Sequence, residues 1–164
     1  MNKSSSTPAH QLFRLSDPIQ FLAVGFGSGL APKAPGTFGT VAAIPVYLLM
    51  VSLLSTPLYL IGTLLACVVG VWICGKAAEA VNVHDHPAIV WDEIAGYLVT
   101  MAFVPVNLTN IVLGFALFRL FDILKPWPIS IADKKLHGGL GIMLDDILAG
   151  VLACLCLHIL FNFI

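Results

Sequence analysis

The chain has 164 residues, of which 59% are hydrophobic and only 10% charged, and its net charge is -1. Soluble globular domains carry about a quarter charged residues, so this composition assigns the chain to a membrane, and the lack of a long basic run excludes nucleic-acid binding. Its length allows one membrane-embedded domain over residues 1–164 and leaves no room for a separate soluble one.

The first residues, MNKSSSTPAHQLFRLSDP, are polar, and the apolar run after them is short and broken by glycines. Residues 1–20 therefore read as a cytoplasmic or interfacial segment rather than a cleaved signal peptide. Residues 17–31 read either as a short interfacial helix or as a re-entrant loop. Next comes GFGSGLAPKAPGTFGT, Gly25 to Thr40, which lacks the spacing of a dinucleotide fingerprint. In it, Pro35-Gly36 favours a type II turn and Thr37 is the expected N-cap of the first span. With Lys33 beside it, this glycine-rich approach to a helix N-terminus reads as a phosphate cradle, the alternative being a flexible loop.

Beyond Lys33, three runs contain no Asp, Glu, Lys or Arg: 34–75, 94–118 and 147–164. A spanning helix needs about 20 residues, so the first run holds two helices broken near Ser55-Thr56-Pro57, and the last holds one. The middle run is either one tilted span or a hairpin, and the turn chemistry of Pro105-Val106-Asn107 favours the hairpin. The expected fold is all-α: a polytopic membrane helical bundle of about five transmembrane helices, near 37–55, 58–75, 89–104, 108–124 and 141–162, plus the N-terminal segment. All the lysines and arginines then fall on one side or at its edge, which the positive-inside rule makes cytoplasmic. Cys67, Cys74, Cys154 and Cys156 sit in apolar runs without CxxC spacing and read as small buried hydrophobes.

The acids carry the functional signal. In HDHPAIVWDEIAG, three carboxylates and two histidines stand directly before an apolar segment, and GIMLDDILAG repeats the pattern of an acid pair followed by a glycine. Asp92 precedes Gly96 by four residues and Asp146 precedes Gly150 by four, so each acid shares a helix face with a residue that permits close helix approach. Ionisable groups inside a span cost at least ~2.5 kcal/mol each on insertion scales and normally carry function. Neighbouring residues point ~100° apart, so one acid of each pair is the expected ligand and the other a supporting or substrate-side group. Carboxylates without thiolates or an HExxH motif suit a hard cation such as Mg²⁺, with Asp92, Glu93, Asp122, Asp145 and Asp146 as candidates. Helix-dipole stabilisation accounts for one acid per helix, not for two pairs plus Asp122. Arg119, Asp122 and Lys125 share a helix face, which lets Asp122 join the acids while Arg119 and Lys125 receive an anion. Of the histidines, His84 and His137 lead directly into acid-bearing helices and are the better candidates.

Four blocks, AVGFGSGLAPKAPGTFGT, VHDHPAIVWDEIAG, FRLFDILKPWPI and HGGLGIMLDDILAG, resemble the phosphatidylglycerophosphatase A family of bacterial membrane enzymes. The resemblance implies a Mg²⁺-dependent lipid phosphatase at the cytoplasmic face of the inner membrane, converting phosphatidylglycerophosphate, a phospholipid substrate in the bilayer, to phosphatidylglycerol. On that reading the five acids hold one or two Mg²⁺. Lys33, Thr37, Arg119, Lys125 and His137 bind substrate, and Asp85 or His84 handles the proton. Attack by water and an aspartyl-phosphate intermediate both stay open. The reading from another class is a small cation or solute carrier, which would need polar residues through the far half of the bundle.

Overall fold

The computed structural model describes residues 9–83 and 85–163, and among them every regular element is helical. A four-residue turn, α1 (Ala9–Leu12), precedes α2 (Pro18–Ala23). Asp17 caps α2 by accepting hydrogen bonds from the backbone of Ile19 (2.9 Å) and Gln20 (3.4 Å), with Pro18 in the first helical position, where a missing N–H costs nothing. Two tight 3₁₀ turns fill Gly25–Leu30, separated by Phe26 and Gly27 at φ 59° and 99°. Residues 17–31 are thus a short helix followed by a coiled loop. The loop is seated by tertiary contacts: Val90 N–H donates to the Ala23 carbonyl (2.8 Å), and a β-carbon on Gly29 would fall on the Ala88 carbonyl.

The long helices are α3 (Pro35–Leu53), α4 (Thr56–Val81) and α8 (Gly138–Phe163), and each is long and apolar enough to cross a membrane. Between α4 and α8 lie α5 (Trp91–Thr100), α6 (Leu108–Leu124) and the short α7 (Ile129–Lys135). Helix α3 starts two residues earlier than expected. Pro35 opens it after Ala34 in left-handed conformation, so Thr37 lies inside the first turn and is not the cap.

Helices α5 and α6 are linked through the expected turn, and neither is among the three described helices long and apolar enough to cross a membrane. Asn107 caps α6 through its side chain (Asn110 N–H to Oδ1, 2.8 Å), and Asn110 Nδ2 donates back to the Pro105 carbonyl (2.8 Å). Both arms are shorter than the other three helices, and Tyr97 joins them by donating its hydroxyl to the Ile111 carbonyl (3.1 Å).

In lipid, apolar burial does not drive helices together, so close approach depends on small residues and satisfied polar groups. At the α5–α8 crossing, a β-carbon on Gly150 would strike the Gly96 carbonyl, and one on Gly96 would lie 2.6 Å from the Phe118 ring and 2.8 Å from the Asp146 carbonyl. Polar side chains also tie the helices together: buried Tyr59 donates to the Leu98 carbonyl (2.6 Å) and half-buried Trp91 donates from Nε1 to the Ala66 carbonyl (3.1 Å). Tyr47, Tyr59 and Tyr97 stack edge-on in the core. The crossing brings the N-terminal ends of α5 and α8 side by side, and both carry acids.

Candidate active site

At this end of the bundle lies a cavity of about 600 Å³. Its walls come from the start of α3, the loop before α5, the first turns of α5 and α8, the last turns of α6, and residues Leu136 and His137. Asp92, Glu93 and Asp146 each turn a carboxylate oxygen to a common point, and these oxygens lie within 4.8 Å of one another. Asp92 and Asp146 are buried, at 8% and 3% exposure. Among the described residues, Asp92 Oδ1 and Glu93 Oε2 have no hydrogen-bond partner, which is costly for a buried acceptor. Three carboxylates this close repel strongly unless a cation or protons intervene. Donor type, spacing and unsatisfied oxygens together fit a hard divalent cation.

The other two candidate ligands are held by cations. Arg119 Nη1 lies 2.5 Å from Asp122 Oδ2 and 3.9 Å from Glu93 Oε1, bridging α6 to α5. Lys125 Nζ lies 2.7 Å from Asp145 Oδ2, bridging α6 to α8. The reach of Lys125 has a local cause: it ends α6 in left-handed conformation, its N–H bonded to the Phe121 carbonyl, with Pro126 stopping the helix. On α8, as expected from helical angles, Asp146 faces the cluster and Asp145 faces a cation. On α5 both Asp92 and Glu93 turn an oxygen to the cluster, where the sequence reading expected one acid of the pair.

Asp85 and His137 also line the cavity, both from exposed positions. Lys33 is exposed and, with Thr37, lies outside the cavity walls, so the phosphate-cradle assignment for these two gains no geometric support. His84 lies outside the described residues. The loop bearing Asp85 is buttressed by His86, whose Nδ1 accepts from the Ala88 N–H (3.1 Å) and whose ring packs edge-on against Phe13. Burial holds the His86 pKa below its ordinary value, partly countered by Asp85. The sequence reading missed Gly36 and Ile123, which form wall without carrying charge. The only signal for Gly36 was its place in the glycine-rich approach to the first span.

Fold and site together define an integral-membrane helical protein with a carboxylate-and-cation cavity at one end of its bundle. The family model for phosphatidylglycerophosphatase A matches residues 21–161. The chain is 46% identical over 146 residues to phosphatidylglycerophosphatase A of Escherichia coli, covering 88% of this chain and 84% of that protein. It is 47% identical over 140 residues to phosphatidylglycerophosphatase A of Haemophilus influenzae, covering 85% and 86%. No solved structure matches it. The chain belongs to the phosphatidylglycerophosphatase A family, and it is a phosphatase of the membrane.

Proposed function

We propose that the chain hydrolyses the terminal phosphate monoester of phosphatidylglycerophosphate, giving phosphatidylglycerol and inorganic phosphate, with Mg²⁺ as cofactor and at the cytoplasmic face of the bacterial inner membrane. The observation that carries this reading is the meeting of Asp92, Glu93 and Asp146 beside Arg119 in one cavity. Among the described residues the cavity is lined by six carboxylates against Arg119 and Lys125, so a phosphate dianion would be repelled without added cationic charge. Asp92, Glu93 and Asp146 would hold the ion, and Asp122 and Asp145 would orient the two cations. When bound, Mg²⁺ supplies Lewis-acid stabilisation of the phosphoryl oxygens and eases formation of the nucleophile from water.

The remaining work falls to the chain. Arg119 and Lys125 hold the phosphate, and Arg119 counters the charge that develops on the phosphoryl group as the glycerol oxygen leaves. In the overall step the water oxygen bonds to phosphorus and the bond to the glycerol oxygen breaks. Asp85 takes one proton from the attacking water and that proton is returned to the departing glycerol oxygen, with His137 in the same cavity wall as a relay. Ile123 lines the cavity yet is 66% exposed, with Leu120 and Leu124 exposed beside it, so the mouth adjoins apolar surface on which the lipid tails can stay in the bilayer.

Five crossings, with α5 and α6 passing as a hairpin, would put Lys33, Lys76, Arg119 and Lys125 at the cytoplasmic end with the cavity. The carrier reading is not favoured: the cavity at the opposite end, lined by Tyr47, Val51, Tyr59, Met101, Phe103 and Val106 among others, has no charged residue in its walls among the described residues. Phosphate release from phosphatidylglycerophosphate by the purified protein tests the proposal. Release should require Mg²⁺ and stop with EDTA; undiminished release in EDTA would overturn the metal assignment, and no release in Mg²⁺ the substrate.

A further inference from the structure

Several glycines in this bundle sit where a side chain has no room, and what crowds them differs. A β-carbon on Gly29, Gly139 or Gly150 would meet a backbone carbonyl, that of Ala88, Val71 or Gly96. These are packing glycines, and a methyl group there pushes main chain against main chain. At Gly36 the nearest atoms are all side-chain ends. The β-carbon would fall on Glu93 Oε1 and lie 3.1 Å and 3.3 Å from the Arg119 Nη1 and Nη2 nitrogens. Both residues belong to the cavity, and Gly36 is part of its wall.

Side-chain ends give way more easily than main chain. The Gly36 backbone is also anchored, because its carbonyl accepts from Thr40 Oγ1 at 2.9 Å within α3. Glu93 is only lightly tied to Arg119: among the described residues its Oε2 has no hydrogen-bond partner, and its contact with Arg119 is long at 3.9 Å. A methyl group at position 36 would therefore move the Glu93 carboxylate, and the guanidinium beside it, before it moved α3. Glu93 could then no longer point to the place where its oxygen lies within 4.8 Å of those of Asp92 and Asp146.

We infer that Gly36 is a positioning residue: its bare α-carbon face seats the Glu93 carboxylate in the acid cluster and the Arg119 guanidinium between Glu93 and Asp122. The inference rests on the cation-binding reading of that cluster. It also explains why the glycine-rich approach matters to the site although Lys33 and Thr37 do not line it. The segment's contribution is an absence of atoms where α3 closes over the acids.

The test uses the full chain in detergent, with Mn²⁺ as the probe and its affinity read by electron paramagnetic resonance. Gly36→Ala should weaken Mn²⁺ binding about 10–100-fold, the usual cost of disturbing a ligand's supporting contacts. Its melting temperature in EDTA should hold or rise, since alanine is the better helix former and Gly36 is not in left-handed conformation. Glu93→Gln should weaken binding as well, and adding Gly36→Ala to it should cause little further loss, because both changes act through one carboxylate. Wild-type Mn²⁺ affinity in Gly36→Ala, a fall in its metal-free melting temperature, or losses that multiply in the double variant would each overturn the inference while leaving the proposed reaction standing. A wild-type protein that binds no Mn²⁺ would overturn the cation reading and the inference together.

Discussion

Asp92 and Asp146 are buried acids whose neighbours include each other and Glu93, an arrangement that burdens the fold and serves the chemistry. Removing one negative charge relieves like-charge repulsion and desolvation, so Asp92→Asn and Asp146→Asn should melt at the wild-type temperature or above in EDTA. Turnover should fall by about 10³-fold or more, as when an oriented transition-state contact is lost from an active site. Melting in EDTA alongside kcat separates the roles: a destabilised but active Asp92→Asn would mark a structural acid. His86 gives the opposite signature, a structural role with a pH dependence. Its pKa lies below the ordinary 6.5 because burial disfavours the cation, and its Nδ1 must stay unprotonated to accept from Ala88. The unfolded chain then binds the proton more readily. Stability is full above the ordinary value, falls as the pH drops through 6.5 toward the lowered value, and levels off beneath it. Melting curves at pH 7.5 and 5.5 should diverge less for His86→Asn, whose amide oxygen can still accept from Ala88, than for the wild type; an unchanged divergence would clear His86 of the effect.

At the scale of elements, the α5–α8 crossing brings two of the acid-bearing segments together, so its glycines are a condition of the site. A methyl group on Gly96 meets the Phe118 ring and the Asp146 carbonyl, and one on Gly150 meets the Gly96 carbonyl. Overpacking of this kind costs about 1–3 kcal/mol, so Gly96→Ala and Gly150→Ala should lower the melting temperature in EDTA. Gly75→Ala is the control, with its nearest neighbour at 3.5 Å. Equal melting of all three would show that the helices have slack there. This crossing was legible in the sequence because an acid four residues before a glycine fixes a helix face. The long helices were legible because each carries a long run without charge, and the turn between α5 and α6 because Pro105 and Asn107 carry turn chemistry. The coiled loop at Gly25–Leu30 was not legible, since its conformation is held by Ala23 meeting Val90 and Gly29 meeting Ala88, contacts far apart in sequence. The ion pair between Lys125 and Asp145 was hidden for the same reason: it depends on the left-handed turn that ends α6 and on how α8 docks. Periodicity also could not reveal that Glu93 turns inward with Asp92, because the space it enters is created by Gly36 on another helix.

For the molecule as a whole, five crossings would require helices of very different lengths to fit one bilayer. Helix α5, at about 1.5 Å per residue, is roughly 15 Å long, half the hydrocarbon thickness. Irregular backbone is tolerated at membrane depth only where protein buries it, and the residues next to α5 meet that condition in part. Ile89 and Val90 before it and Met101 and Val104 after it are buried, and the Val90 N–H bonds to the Ala23 carbonyl. The α5 path can therefore extend beyond its helical turns in both directions. At the far end, the 101–106 segment lines a cavity with the C-terminal part of α3 and the start of α4. The turn thus lies opposite the acids, and five crossings would place it in the periplasm. Val106 is 54% exposed and suits a probe, whereas Lys76, with a half-exposed side chain, marks the cavity end. In a chain whose four native cysteines are replaced, Val106→Cys should react with a membrane-impermeant maleimide in cells with a permeabilised outer membrane, and Lys76→Cys only after the inner membrane is opened. Labelling of Val106→Cys from the cytoplasmic side alone would reverse the orientation. Labelling only after detergent would mean that the hairpin turns within the bilayer, leaving α3, α4 and α8 as the crossings.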